Sequence, residues 1–196
     1  MKKIVELPDF SNVKLTNGDQ MSEFCTEFGL GNGTSKKWTL KHFTLLADNL
    51  SAGEYAIFCF VGLHNYISAS KHDGNFAYAI TNKRILMAQQ KLIGNNVQSI
   101  MVNQINDVTK KTGMLMGTLT IDTLKETFNV GVDKQTVDRI SSSLNEIIYD
   151  LKKHNDSTAI PISHVTDEVR KYKELLDDGI ITQEDFDAKK KELLGL

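Results

Sequence analysis

The chain has 196 residues, enough for one sizeable domain or one domain plus a fragment. It is 40% hydrophobic and 24% charged, as in a soluble globular protein, and its formal net charge of −2 provides no global field favouring DNA, RNA or an acidic membrane. Two cysteines, Cys25 and Cys59, are too few for a disulfide framework, and the longest apolar run, Tyr55–Leu63, is less than half the roughly 20 residues a membrane helix needs.

Met1-Lys2-Lys3 is followed by Glu6, Pro8 and Asp9 rather than by an apolar stretch, so no signal peptide is expected. Reduced thiols and a cytoplasmic location follow as expectations. Ile4–Leu7 is a short extended candidate stopped by Pro8. Met21, Phe24, Cys25 and Phe28 share one helical face and predict a helix over Asp19–Phe28. Gly29-Leu30-Gly31-Asn32-Gly33 ends it. These glycines follow a helix and lack the Lys-Ser/Thr of a phosphate loop, so they read as a helix stop.

A second helix is predicted over Thr39–Asn49. Thr39 is its expected N-cap, Leu40, Phe43, Leu46 and Ala47 its inner face, and Trp38 a staple before it. Ser51-Ala52-Gly53 breaks the helical period, and strands follow. Tyr55–Leu63 is a dense apolar strand, and His64–Gly74 a polar loop. Phe76–Ile80 and Ile85–Ala88 flank the turn Thr81-Asn82-Lys83-Arg84, the second of them apolar on both faces. Gly94-Asn95-Asn96 is a turn before a strand over Val97–Val102. Ile105–Val108 is another short strand, and Lys110-Lys111-Thr112-Gly113 a loop. Thr118–Asp122 and Thr127–Val130 are the last strands.

Asp133 is the expected N-cap of a helix with Val137, Ile140, Leu144, Ile147, Ile148 and Leu151 on one stripe. His154–His164 carries Pro161 and no period, and reads as a linker. In Val165–Leu196, Val169, Tyr172, Leu175 and Leu176 line one helix. Gly179 suits a left-handed stop, and Thr182–Asp185 is a capping box with Asp in place of Glu. Phe186, Lys189, Leu193 and Leu194 continue a second helix. Some 30 residues without cysteines or metal ligands cannot bury enough apolar area alone, below the roughly 40 at which staples become unnecessary. This tail must dock on its own domain or on another copy.

Two stretches resemble known families. Leu175-Leu176, Asp178-Gly179, Ile180-Ile181-Thr182, Glu184-Asp185-Phe186, Lys189-Lys190 and Leu193-Leu194 match the short C-terminal domain called SHOCT. That resemblance implies oligomerisation or partner contacts, through Val169, Tyr172, Leu176, Ile180, Ile181, Phe186 and Leu193. Leu50-Ser-Ala-Gly-Glu54, Ala79-Ile-Thr-Asn-Lys-Arg84-Ile-Leu, Met101-Val-Asn-Gln-Ile105-Asn-Asp-Val108 and Gly117-Thr-Leu-Thr-Ile121 resemble the bacterial pleckstrin-homology-like (PH-like) domains. The resemblance spans Leu50–Leu151, with the Thr-Asn-Lys-Arg hairpin its most diagnostic part. It implies an α+β fold: a bent antiparallel sheet of about seven strands in two near-orthogonal layers, capped by a C-terminal helix. The expected organisation is an N-terminal helical extension (1–50), a PH-like domain (51–153), a linker (154–164) and a SHOCT helical hairpin (165–196).

Phosphoinositide-binding PH domains place basic residues at the end of the first strand and the start of the second. Here those places hold His64, Tyr66, Phe76 and Tyr78, with Lys71 and His72 between, a thin cradle for a multiply charged headgroup. Lys83 and Arg84 belong to the next turn and read as turn structure. The five histidines have no metal spacing, Cys25 has no neighbouring base, and no nucleophile elbow or nucleotide fingerprint appears. No catalytic, cofactor-binding or metal residues are expected. The expectation is a non-catalytic adaptor or assembly protein. Its PH-like domain would meet a protein partner at an exposed sheet edge, and its tail would form homo-oligomers or dock. The alternative is peripheral attachment to an anionic membrane through Lys71, Lys110 and Lys111, at about 1 kcal/mol per basic residue. Nucleic acid is not expected as a partner.

Overall fold

The densest apolar run of the sequence becomes the central strand. In the computed structural model, which describes residues 5–158 and 162–194, β1 (Ala56–His64) is buried along nearly its whole length. Beside it on one side lie β2 (Asn75–Thr81), β3 (Arg84–Gln90) and β4 (Asn95–Met101). On the other lie β7 (Thr127–Asp133), β6 (Met116–Thr123) and β5 (Ile105–Thr112). All neighbours are antiparallel, in the order β4-β3-β2-β1-β7-β6-β5.

The two halves of the sheet join only at the end of β1, where Leu63 pairs with Gly131 and His64 with Val130. Gly62 makes this junction possible. A Cβ there would lie 2.4 Å from Val130 Cγ1, far inside contact distance. The sheet is therefore bent rather than closed, and β4 and β5 remain its edges.

β1, β2 and β3 need apolar cover on both faces because their side chains are apolar on both. The half with β5–β7 supplies one cover. The N-terminal helices α1 (Gly18–Glu27) and α2 (Lys36–Ala47) supply the other. Met21, Phe24, Cys25, Phe43 and Leu46 belong to the same core as Phe58, Phe60, Tyr78 and Ile80. Phe24 meets Phe58 edge-on at 5.8 Å. Each such large side chain, fully buried, contributes about 1.5–3 kcal/mol. The first fifty residues are thus a layer of the domain, not a separate module.

Asn17 caps α1 by accepting the Gln20 N–H. The start of α2 corrects the expectation at Thr39. Ser35 is the cap, accepting the Trp38 N–H at 3.2 Å, so the helix begins at Lys36. Two hydroxyl residues stand four apart, and either type can cap. Thr39 is instead buried inside the helix, its hydroxyl donating to Lys36 O and lying 2.9 Å from Ser22 Oγ. Trp38 lies in the first turn, stacked on His42 at 3.6 Å, and Leu40 faces outward at 36% exposure.

Most strands run longer than expected, and at two places the extension overturns a reading. β4 begins at Asn95, so two of the three residues assigned to a turn are paired, Asn95 with Gln90 and Asn96 with Gln89. β5 continues through Thr112, so Lys110 and Lys111 lie on a strand, not in a loop. In each case polar residues on an exposed edge imitate a loop.

The strands lead into α3 (Val137–Thr158). Asp133, expected as its N-cap, is instead the last residue of β7 and accepts the Gln135 N–H in the turn that follows; the helix starts four residues later, with the Thr136 carbonyl accepting the Ile140 N–H. Val137, Ile140, Leu144, Ile147 and Ile148 are buried in the core. Gly117 on β6 lets the helix approach: a Cβ there would lie 2.4 Å from Val137 Cβ. α3 runs on to Thr158 and α4 (Ile162–Asp177) starts soon after, so helix occupies most of the expected linker. Nothing in His154–Thr158 breaks a helix; the breaker, Pro161, falls in residues 159–161, outside the described ones.

The chain divides into two compact units, Met1–Lys152 and Lys153–Leu196. In the second, α4 turns into α5 (Gln183–Leu194) through Gly179, at φ 70°. The Gly179 N–H donates to Leu176 O and the Ile180 N–H to Leu175 O, closing the end of α4. Thr182 and Asp185 form the expected capping box in both directions: Asp185 N–H to Thr182 Oγ1 at 3.2 Å, Thr182 N–H to Asp185 Oδ2 at 3.1 Å.

Candidate interaction surfaces

The turn Thr81-Asn82-Lys83-Arg84 is a clasp. Arg84 Nε donates to Glu54 Oε1 at 2.9 Å, and its Nη2 donates to Glu54 Oε2 and to Asn49 O, each at 2.9 Å. Thr81 Oγ1 donates to Glu54 Oε1 at 2.7 Å and accepts the Arg84 and Lys83 N–H groups. Asn82 accepts the Tyr55 N–H and donates to Gly53 O; Lys83 Nζ donates to Ala52 O. All four turn residues thus hold the segment that leads into β1.

The Glu54 side chain is fully buried, against 21% exposure for Arg84. Burial alone would raise the Glu54 carboxyl. Bonds from Arg84, the Ser51 N–H and the Thr81 hydroxyl outweigh it and bring it down to about 2. Sequence reasoning gave Glu54 no role. The signal was there, in a lone carboxylate placed immediately before the densest apolar run, which must find a cation. The tip is occupied by structure and has no free cation for a ligand at Arg84.

The expected anionic-ligand residues are not gathered. Lys71 lies in the loop after β1, while Lys110 and Lys111 lie on β5, with β7 and β6 between. Lys110 Nζ is 2.5 Å from Asp138 Oδ1. His64 serves the core: its Nδ1 lies 2.8 Å from Tyr78 Oη, and Phe76 and Phe128 flank the ring. Burial lowers the His64 imidazole, against Asp73 and Glu126, and raises the Tyr78 phenol well above its usual range. Burial pushes the Cys25 thiol up to about 12 and the Cys59 thiol well above its ordinary value. Neither sulfur is poised as a nucleophile.

The two sheet edges differ. β5 carries a bulge between Ile105 and Asp107 and the charged Asp107, Lys110 and Lys111. α3 also reaches it. Asn145 Nδ2 donates to Val108 O at 3.1 Å and Lys152 Nζ to Ile105 O at 2.6 Å. A shallow groove of about 560 Å³ between β5 and α3 is lined by Val108, Ile148 and the exposed Tyr149.

β4 has no such cover. Two bonds bracket its ladder with β3: Lys91 N–H to Gly94 O at one end, Val102 N–H to Lys83 O at the other. With the unbroken register between them, they assign Asn96, Gln98 and Ile100 to bonding with β3. The N–H and C=O groups of Asn95, Val97, Ser99 and Met101 therefore point away from the sheet. Among the described residues nothing bonds to them.

In the second unit Phe186 is buried, while Val169, Tyr172, Leu176 and Ile181 are half-buried and Ile180 is 67% exposed. The side chain of Leu193 lies outside the described residues. No helix among the described residues is long and apolar enough to cross a membrane, and no described group of His, Cys, Asp and Glu is arranged to hold a metal.

Residues 50–146 match the family model described as Bacterial PH domain, and residues 167–194 the one described as Short C-terminal domain. Neither is an enzyme family. A comparison with curated proteins gives no match.

Proposed function

The chain carries a bacterial PH domain over residues 50–146 and a SHOCT domain over residues 167–194, and on that premise we propose that it is a non-catalytic adaptor that assembles copies or partners. The PH domain meets a protein partner at a sheet edge, and the tail links copies or docks onto a larger complex. One observation carries this reading. The tail is a two-helix hairpin whose apolar side chains, Val169, Tyr172, Leu176 and Ile181, are only half-buried, with Ile180 open to solvent. A hairpin that short has too little core of its own, and docking removes the remaining apolar area from water at about 25 cal/mol per Å².

The buried clasp and the core histidine support the same reading from the other side, because the polar groups of the domain are spent on its structure. Deleting Asp167–Leu196 leaves the compact unit that ends at Lys152 intact. The truncated protein is expected to fall to a lower mass class in size-exclusion light scattering. An unchanged mass class would overturn the assembly role of the tail.

A further inference from the structure

Edge strands offer a row of unpaired backbone groups, and proteins usually blunt them with charge, proline, a bulge or a cover. β4, Asn95-Asn-Val-Gln-Ser-Ile-Met101, has none of these. It is seven residues long, carries no charge and no proline, and pairs with β3 in unbroken register. α2 packs on β2 and β3. Four consecutive outward positions, at Asn95, Val97, Ser99 and Met101, stand ready for a ladder.

We propose that β4 pairs with β4 of a second copy, antiparallel about a two-fold axis, joining two sheets edge to edge. This rests on the reading of the chain as an assembly protein. An antiparallel two-fold pairing sets each residue against the one reflected through the axis, and like charges near the axis repel. β4 brings only Asn, Gln, Ser and apolar side chains, which tolerate or bond one another in any register, so self-pairing meets no repulsion there. Pairing consumes β4 in both copies, and β5 is blocked by α3, so growth through the sheet stops at two. A seven-residue strand buries less than the roughly 1,200 Å² of a stable interface. The pairing is accordingly weak alone and gains from a second attachment, which the tail provides by raising the effective concentration.

The test is hydrogen exchange of the full chain at low and high protein concentration, read residue by residue. The amides of Asn95, Val97, Ser99 and Met101 are expected to slow at least about tenfold at high concentration, the range of a modest local stabilisation. Those of Asn96, Gln98 and Ile100 stay slow at both. Equal, fast exchange of the four outward amides at both concentrations overturns the proposal. That result would point instead to an extended segment of a different protein as the occupant.

Ser99→Pro removes one outward donor, no backbone bond to β3 and only the long 3.5 Å contact from Arg84 Nη1 to the Ser99 hydroxyl, and is expected to abolish the slowing with little shift of the melting temperature. Should that variant misfold, Ser99→Lys and Ser99→Glu serve. Each alone is expected to lose the slowing and an equimolar mixture to regain it; a mixture that stays fast counts against a second copy. Failure of the broader assembly reading registers elsewhere, as an unchanged mass on tail deletion.

Discussion

One sheet has two edges, and they are treated in opposite ways. At β5 the chain uses a bulge, three charged side chains and two caps from α3. At β4 it uses nothing. Both edges exist for the same reason, because β1 and β7 meet at a corner of two residue pairs and the sheet never closes. An edge blocked several times over shows that the fold can manage the hazard. An edge of similar length left bare is then informative, since the same means would have covered it. The difference also separates two kinds of polar residue. Those of β5 and α3 spend their bonds inside the domain, and the backbone of β4 keeps its bonds for something outside.

The largest expected effect comes from the clasp, because it fixes the start of β3 and through it the end of β4, where Arg84 pairs with Met101. Glu54→Gln leaves the Arg84 guanidinium without its carboxylate, and removing one partner of a buried pair typically costs about 3–5 kcal/mol. Arg84 keeps some exposure, so the lower end is expected, about 3 kcal/mol in chemical denaturation. A loss below about 1 kcal/mol, the range of an exposed pair, would make the clasp ornamental. The pH dependence has a definite sign. The folded Glu54 carboxyl lies at about 2, below its ordinary 4.5. Its contribution is therefore present above pH 4.5 and drains away as pH falls from 4.5 to 2. Glu54→Gln should flatten the melting curve against pH across that window and nowhere above it. In the native protein, β4 should fray before β1 as the pH falls.

Much of this was legible in the sequence. Apolar periodicity placed every strand and the inward stripe of α3, because burial on one or two faces is written directly in side-chain type. The capping box at Thr182–Asp185 was legible because it is local. What periodicity could not reach was polar structure with distant partners. Glu54 is bonded across 30 residues to Arg84, and Asn145 across 37 to Val108. Neither pairing leaves a period. Lys110 and Lys111 looked like a loop because an exposed edge strand and a loop share a composition. Asn95 and Asn96 looked like a turn for the same reason. The cap of α2 was missed because Ser35 and Thr39 carry the same signal. The proposed surfaces divide in the same way: an edge and a tail can be proposed from sequence as kinds of surface, while the outward row of β4 is read only from the ladder's register.

A middle-sized effect tests the protected side. Asn145→Ala with Lys152→Ala uncaps Val108 O and Ile105 O. Each lost bond is worth about 1 kcal/mol, so a destabilisation of about 1–2 kcal/mol is expected. More telling is the change in association. β5 stripped of its caps should gain a concentration-dependent association that the native chain lacks, seen in sedimentation velocity as a heavier species retained when Ser99→Pro is added. If the uncapped protein sediments as the native one does, the bulge and charges suffice at β5, and the caps belong to the packing of α3.

The smallest expected effect separates charge from cover at β5. Lys110 and Asp138 are both exposed, at 41% and 66% of their side-chain surface. Exposed pairs contribute about 0–1 kcal/mol and fade with salt. Lys110→Ala should therefore shift stability by less than about 0.5 kcal/mol, and by less still in high salt. Its value lies in what it leaves in place, since the Asn145 and Lys152 caps remain. If Lys110→Ala alone provokes association through β5, charge repulsion between copies is the real guard of that edge, and the absence of charge in β4 becomes the decisive difference between the two. If it provokes none, cover by α3 is the guard, and β4 is open because no helix reaches its backbone.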